Sequence, residues 1–138
     1  MERMEVIKKY ICTPSSIAII GASPKENRPV YDVMNYLQKS GHTLYPVNPA
    51  YKGKEILGIP CFDSLSEIPD SIDIVAFFLS PSLQQPVAEE LVKNKKNHPV
   101  VWFQPGAENP TVELWLEERG FFVVSHECMM VAHRKWCF

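Results

Sequence analysis

The chain has 138 residues and a formal net charge of −2, with 46 % hydrophobic and 22 % charged side chains. These proportions are typical of an ordered globular protein and argue against disorder, and the length suits a single domain over residues 1–138. A protein that coats DNA or RNA needs a basic face, so the balanced charge argues against nucleic acid as the partner.

Membrane and targeting segments are not predicted. The longest apolar run, residues 74–79, is far shorter than the roughly 20 residues that cross a bilayer, and no apolar signal core is present near the N-terminus. The four cysteines, Cys12, Cys61, Cys128 and Cys137, are widely spaced and form no CxxC pair. This cysteine usage predicts reduced thiols in a cytoplasmic protein.

Apolar strands alternate with amphipathic helices along the chain. Five apolar runs predict strands, at residues 17–21, 43–47, 73–79, 100–104 and 121–125. The clearest helical pattern is Val30, Val33, Met34 and Leu37, whose i, i+3, i+4, i+7 spacing is typical of a helix with one buried face.

Three further helices are predicted from shorter patterns. A leading helix over residues 1–13 is expected to bury Met4, Ile7 and Ile11. A helix that begins at Pro81 and ends in the polar stretch 94–98 is expected to bury Leu83, Val87, Leu91 and Val92. A helix capped by Asn109 is expected to bury Val112, Trp115 and Leu116.

Continuous apolar strands that alternate with helices indicate parallel pairing, right-handed crossovers and helices on both sheet faces. The sequence therefore predicts an α/β, Rossmann-like doubly wound sheet of five parallel strands in the order 3-2-1-4-5. Pro46 lacks the N–H that a strand ladder needs, so we expect it near the end of the second strand.

Ligands of such sheets bind beyond the carboxyl ends of the strands, so the residues there form the candidate site. The loop after the first strand has one glycine, Gly21, where the dinucleotide fingerprint has three. Its backbone amides at a helix N-terminus still suit a phosphate, with a hydroxyl from Ser23 and a cation from Arg28 or Lys25. A tight strand–helix turn without a ligand is the alternative.

The end of the second strand separates nucleotide classes. Asn48 stands where NAD-binding folds usually place Asp or Glu for the ribose hydroxyl, and Lys52 and Lys54 follow. A missing carboxylate and nearby cations favour a nucleotide with an additional phosphate near the adenosine, as in NADP or coenzyme A. Solvated loop lysines are the alternative and the more common case.

Several short segments in this order and spacing carry a resemblance: GAS at 21–23, RP at 28–29, YPVNP at 45–49 and WFQPGAEN at 102–109. Over about residues 14–133 the chain resembles the small stand-alone CoA-binding proteins. These are similar in turn to the N-terminal CoA-binding domain of succinyl-CoA synthetase α-subunits and of ADP-forming acyl-CoA synthetases.

The resemblance implies coenzyme A, or a short acyl-CoA, as the ligand of the strand ends. It implies that Gly21, Ala22 and Ser23 surround the pyrophosphate with support from Arg28. It also implies that Asn48 and Pro49 line the adenosine side, with Lys52 near the ribose 3′-phosphate. The residues it implies for the cleft wall and the pantetheine arm are Phe78, Leu79, Ser80, Pro81, Gln104, Pro105 and Gly106.

The resemblance does not extend to the synthetase domain that carries the phosphorylated histidine, nor to an ATP-binding domain. It therefore implies a nucleotide-binding module without complete catalytic machinery, and no catalytic residue is predicted. An NAD(P)- or acyl-CoA-dependent enzyme and a regulatory subunit with a vestigial nucleotide site are the alternatives. A homodimer and a synthetase partner both stay open.

Cysteine and histidine side chains outside the loops give weaker signals. Cys128, after the fifth strand, either exchanges with the CoA thiol or is a small buried side chain, which is the more common case. The spacing of His126, Cys128, His133 and Cys137 fits no standard zinc site, so no metal is predicted. His42 lies beside a turn and is expected to face solvent.

Overall fold

The computed structural model describes residues 1–94 and 98–138. Its strands are β1 Ser16–Ile20, β2 Thr43–Val47, β3 Glu55–Ile56, β4 Ile59–Pro60, β5 Ile74–Phe77, β6 Val100–Phe103 and β7 Val123–Val124. The short strands β3 and β4 form an antiparallel hairpin, and the other five form one parallel sheet in the order β2-β1-β5-β6-β7. The predicted five-stranded parallel sheet is confirmed.

The helices are α1 Arg3–Val6, α2 Pro29–Lys39, α3 Gln84–Asn94, α4 Pro110–Glu117 and α5 Met129–Trp136. A π-helical turn, Ile7–Ile11, continues α1, and short 3-10 turns cover Pro49–Tyr51, Leu65–Glu67 and Pro81–Leu83. Of the polar stop predicted at 94–98, residues 95–97 lie outside the described residues. Within the described part of the chain, no helix has the length and apolar character needed to cross a membrane.

Helices cover both faces of the sheet, as the sequence predicts. Alternate residues of β1 point to opposite faces, with Ile17 and Ile19 in one core and Ala18 and Ile20 in the other. The leading helix, α2 and α5 pack on the first face, and α3 and α4 pack on the second. The predicted inner face of α2 is confirmed, since all four of its residues are buried: Val30, Val33, Met34 and Leu37.

The predicted strand order is wrong. The third predicted strand pairs with β1 on the side opposite β2, so the five predicted strands lie in the order 2-1-3-4-5 rather than 3-2-1-4-5. Pro46 gives the physical reason, because a residue without an N–H is tolerated on an edge strand and not in a central one. Its carbonyl accepts the Phe62 N–H (2.9 Å) at the outer edge of β2, where a single bridge replaces a full strand.

The predicted inner face of α3 is correct at Leu91, which is buried, and wrong at Leu83 and Val92. The side chains that α3 buries are Gln84, Ala88 and Leu91. Leu83 is 57 % exposed, because it lies in the 3-10 turn before the helix, and Val92 is 38 % exposed. The buried Gln84 side chain donates from Nε2 to the carbonyls of Leu79 (3.0 Å) and Ala107 (2.7 Å), so a polar anchor takes the place expected for an apolar one.

The fourth predicted helix agrees more closely with the structure. Asn109 caps α4, with its Oδ1 accepting the Val112 N–H (3.3 Å), and Val112 and Leu116 are buried. Trp115 is only half-buried. The Arg119 guanidinium covers its ring, with Cζ 3.8 Å from the ring centroid.

Two cysteines form a disulfide, contrary to the prediction of reduced thiols. Cys12, directly after the π-helical turn, is bonded to Cys137 at the end of α5, and Cys61 and Cys128 are free. The partners are 125 residues apart in sequence, so their proximity arises only when α5 packs against the leading helix. The cross-link stabilises the fold mainly by restricting the unfolded chain.

His42 is buried, contrary to the expectation that it faces solvent. Its imidazole is 5 % exposed and connects the leading helix to the start of β1. Nε2–H donates to the Ile11 carbonyl (3.1 Å), and Nδ1 accepts the Ser15 N–H (3.0 Å). This pattern requires the neutral imidazole, and desolvation by burial lowers the pKa of His42 below its ordinary 6.5.

We expect His42 to make the protein less stable in mild acid. Its pKa is lower in the folded than in the unfolded state, so the unfolded chain binds a proton first as the pH falls below about 6.5. The free energy of unfolding should therefore fall below that pH, by at most about 1.4 kcal/mol per pH unit from this one group. Urea unfolding at about pH 7.5 and about pH 5 measures the effect. In the His42→Gln variant the loss should be smaller, whereas an equal loss in both proteins would contradict the assignment.

Candidate functional site

Two cavities open beyond the carboxyl ends of the strands, and Gly21 and Asn48 line both of them. Cavity A has a volume of about 360 Å³ and is lined by Gly21, Ser23, Arg28, Pro29, Val30, Asn48, Tyr51, Phe78, Gln104, Pro105, Gly106 and Ala107. Cavity B has a volume of about 580 Å³ and is lined by Ile20, Gly21, Val47, Asn48, Pro49, Ala50, Asp63, Ser64, Leu65, Leu79, Leu83, Pro86, Val87 and Glu90. Each lies within the size range of small-molecule sites.

The loop between β1 and α2 lies directly against the end of β5. Gly21 has φ +92°, and a Cβ atom there would lie 3.0 Å from the Leu79 nitrogen and 3.2 Å from the Phe78 carbonyl carbon. The N–H groups of Gly21 and Ala22 both donate to the Val47 carbonyl (3.0 and 3.3 Å). Only glycine fits this approach, and these two amides hold the loop in place rather than facing a ligand.

Ser23 and Arg28 form the polar wall of cavity A. Ser23 is 8 % exposed, and its Oγ accepts the Lys25 N–H (3.1 Å). Within residues 1–94 and 98–138, the Ser23 amide has no hydrogen-bond partner and no carboxylate pairs with the Arg28 guanidinium. Arg28 is the N-cap of α2, where the helix dipole also favours negative charge. This wall therefore suits an anion.

Asn48 supports the loop from the end of β2. Its Nδ2 donates to the Ala22 carbonyl (2.8 Å), and its Oδ1 accepts the Ala50 N–H (3.0 Å). Both polar atoms of the side chain are therefore used to fix the two loops that flank the cavities. Asn48 therefore acts as a positioning residue, and it also lines both cavities.

Gln104 joins the end of β6 to α5. It is 5 % exposed, its Oε1 accepts the Met129 N–H (2.8 Å), and its Nε2 donates to the Cys128 sulfur (3.5 Å). Cys128 is half-buried and does not line either cavity.

The loop after β6 also holds a carboxylate, Glu108. Hydrogen bonds from the Glu108 and Gly106 amides lower the pKa of its carboxyl.

Cavity B is mainly apolar with two carboxylates on its wall. The apolar wall comes from the ends of β1 and β5 and from α3, with Leu79 and Val87 among its side chains. The Glu90 carboxylate accepts the Leu65 N–H (3.2 Å) and the Ser66 hydroxyl (2.9 Å), and Asp63 is the second carboxylate. An apolar cavity with a few polar atoms is typical of a small-molecule site.

Lys52 lies beside this wall in an ion-pair cluster. Its Nζ is 3.6 Å from Asp63 Oδ2 and 3.5 Å from Glu67 Oε2. The Asp63 N–H donates to Glu67 Oε1 (2.7 Å), and this hydrogen bond is the main cause that lowers the pKa of Glu67. Lys52 itself does not line cavity A or cavity B.

Most of the predicted site residues lie around the two cavities. Those that line a cavity are Gly21, Ser23, Arg28, Asn48, Pro49, Phe78, Leu79, Gln104, Pro105 and Gly106. Ala22 is fully buried under the loop, and Lys52, Ser80 and Pro81 lie outside both linings. The amides of Gly21 and Ala22 are already bonded to the Val47 carbonyl, and the roles of the lining residues toward a ligand stay predictions.

Sequence reasoning missed part of each wall. In cavity A, Tyr51 follows Asn48 by three residues, so attention to the whole loop after β2 would have found it. In cavity B, Leu65, Val87 and Glu90 come from a 3-10 turn and from α3 rather than from strand ends. No local motif marks these three residues, because the topology alone brings them to the cavity.

Comparisons with known proteins identify relatives of this chain. Residues 15–134 match the CoA binding domain family. The protein YneT of Bacillus subtilis is 35 % identical over 127 residues, which cover 92 % of this chain and 91 % of YneT. The ADP-forming acetate–CoA ligase I of Archaeoglobus fulgidus is 35 % identical over 124 residues, which cover 84 % of this chain but only 18 % of the ligase.

Solved structures show the same fold at similar identity. A protein from Pyrococcus horikoshii has a TM-score of 0.87 and 36 % identity, covering 97 % of this chain and 92 % of its own. A protein from Thermus thermophilus has a TM-score of 0.88 and 31 % identity, covering 97 % of this chain and 98 % of its own. Since both the sequence match and the fold extend over nearly the whole chain, this protein belongs to the CoA binding domain family.

Proposed function

We propose that this protein binds coenzyme A, or a short acyl-CoA, across cavities A and B, as a binding module without complete catalytic machinery. The observation that carries the proposal is the Arg28 guanidinium, which lines cavity A without a carboxylate partner among the described residues. It lies at the N-terminus of α2 beside the buried Ser23. A pyrophosphate is the part of CoA that such a position favours.

The two cavities accommodate the other parts of the ligand. The adenine ring enters the apolar cavity B, between Pro49 and Leu79, and the pantetheine arm follows cavity A past Phe78 and Gly106. Gly21 lines both cavities, so the pyrophosphate between the two ligand halves passes over the glycine loop. Lys52, Ser80 and Pro81 lie farther out and contribute to the rim of this placement.

A synthetase is the partner that the comparisons favour. The Archaeoglobus fulgidus relative is an ADP-forming acetate–CoA ligase, and the matched region is 18 % of its length. In our proposal, the present chain supplies the CoA site and another chain supplies the catalytic parts. A homodimer that binds CoA without a synthetase is the competing arrangement, and co-purification with or without a second chain distinguishes the two.

Competition calorimetry between CoA and NAD tests the proposed ligand class. We expect CoA to bind at least about tenfold more tightly. Asn48 occupies the strand-end position where NAD-binding folds place the carboxylate for the ribose hydroxyls, and its own amide is engaged by Ala22 and Ala50. NADP serves as a second competitor, because it carries an additional phosphate without a pantetheine arm. Equal or tighter binding of NAD or NADP would overturn the assignment to CoA.

A further inference from the structure

Lys52, the cation that the resemblance places near the ribose 3′-phosphate, is already paired with two anions. Lys52 Nζ lies 3.6 Å from the Asp63 carboxylate and 3.5 Å from the Glu67 carboxylate. Glu67 is ionised at neutral pH, because the hydrogen bond from the Asp63 amide favours its charged form. The cluster of one lysine and two carboxylates therefore carries a net charge of −1.

Cavity B is lined by two carboxylates, those of Asp63 and Glu90, and not by Lys52. Among the described residues that line cavity B there is no lysine or arginine. Cavity A has the opposite charge, because its lining contains Arg28 and no carboxylate. The cleft thus has a basic end and an acidic end.

A ribose 3′-phosphate would enter the acidic end. In water, the attraction of a phosphate to one cation is cancelled by repulsion from one anion at the same distance. Here two carboxylates accompany the single lysine, so the attraction to Lys52 gives no net gain. The pyrophosphate meets no such repulsion at Arg28, because no carboxylate among the described residues pairs with this guanidinium.

From this charge distribution, and resting on the proposed function, we propose that the cleft does not select for the 3′-phosphate of CoA. Its ligand class is pantetheine-linked adenosine diphosphates in general, with the free 3′-hydroxyl accepted as well as the 3′-phosphate. Dephospho-CoA and CoA should then have dissociation constants within about threefold of each other. Asp63 and Glu67 determine this lack of selection, because they hold the charge of Lys52.

Calorimetric titration of both ligands into the parent and three variants tests the proposal. In Asp63→Asn/Glu67→Gln, Lys52 is released, and we expect CoA to bind about five- to tenfold more tightly than dephospho-CoA. Glu67→Gln keeps an oxygen to accept the Asp63 N–H, so the turn is preserved. Adding Lys52→Met to this double variant should return the ratio to the parent value.

The third variant, Glu117→Gln/Glu118→Gln, controls for total charge. It neutralises two exposed carboxylates at the end of α4 and should leave the ratio of dissociation constants unchanged. A measurement on the parent alone gives a further check that needs no folded variant. The ratio should stay constant from about 0.05 M to about 0.5 M salt, since a phosphate held by Lys52 would lose affinity as salt rises.

The possible outcomes distinguish the lack of selection for the 3′-phosphate from CoA binding itself. If the parent binds CoA at least about tenfold more tightly than dephospho-CoA, the inference is overturned while the proposed CoA function stands. An unchanged ratio in Asp63→Asn/Glu67→Gln that remains folded and binds CoA also overturns the inference. If the parent binds neither ligand, the proposed function itself is overturned, and the inference falls with it.

Discussion

Arg28→Ala is expected to weaken CoA binding by about 10- to 150-fold. The guanidinium lines cavity A, and a hydrogen bond between ionised groups is worth about 1.5–3 kcal/mol. Arg28 forms no ion pair with a carboxylate among the described residues, so its removal breaks no stabilising contact of that kind. The melting temperature of the ligand-free protein should therefore change little. Calorimetric titration gives the affinity, and thermal unfolding gives the stability.

Two further variants show whether the effect belongs to the site. Arg119→Ala removes the same charge from the exposed turn after α4 and should leave CoA binding unchanged. Ser23→Ala removes one neutral hydrogen-bonding group and should weaken binding by roughly fivefold. If Arg28→Ala binds CoA as well as the parent does, the pyrophosphate lies elsewhere and the placement along the strand ends is wrong.

Gly21→Ala is expected to lower the free energy of unfolding by about 2–5 kcal/mol. A left-handed backbone costs a residue with a Cβ about 1–2 kcal/mol, and overpacking costs about 1–3 kcal/mol more. The added Cβ would lie 3.0 Å from the Leu79 backbone nitrogen, which belongs to the main chain and cannot rotate away. Urea unfolding measures the loss, and CoA binding should fall because the loop between β1 and α2 must shift.

Gly53→Ala is the matched control for this prediction. Gly53 also has a positive φ, +77°, but no atom lies within 4 Å of the position of its Cβ. Its substitution should therefore cost only the backbone contribution, about 1–2 kcal/mol. Equal losses in the two variants would show that the contact with the end of β5 does not matter.

Local pattern was sufficient to predict the elements, whereas their arrangement needed long-range contacts. The apolar runs identified each strand of the five-stranded sheet but not the β3–β4 hairpin, and the stripe from Val30 to Leu37 identified the inner face of α2. The order of the strands depends on whether the third predicted strand pairs with β1 or with β2. The apolar pattern of the sequence is the same for both arrangements. Pro46 held the missing information, because a proline in a strand indicates an edge. We used it only to place the end of the strand.

Buried polar groups were the second source of error. His42 and Gln84 are buried because their hydrogen-bond partners, such as the Ile11 and Ala107 carbonyls, come from distant segments. The sequence around each of these residues does not predict which distant groups will become its partners. The Cys12–Cys137 disulfide was missed for the same reason.

The candidate site followed the same division. Ser23 and Asn48 were predicted because a parallel sheet brings the loops after its strands together, whereas Gln104 was predicted from the resemblance. Val87 and Glu90 on α3 were missed, since only the packing of that helix on the sheet brings them to cavity B. The pairing of Lys52 with two carboxylates was likewise not visible in the sequence.

The position of bound CoA is tested most directly by amide correlation spectra of isotope-labelled protein during a CoA titration. The account predicts saturable shifts at Ser23 and Gly106 around cavity A and at Leu79 and Val87 around cavity B. Amides at the opposite end of the sheet, such as that of Thr43 at the start of β2, should stay unchanged. Shifts confined to residues away from the two cavities, or no shifts at all, would contradict it.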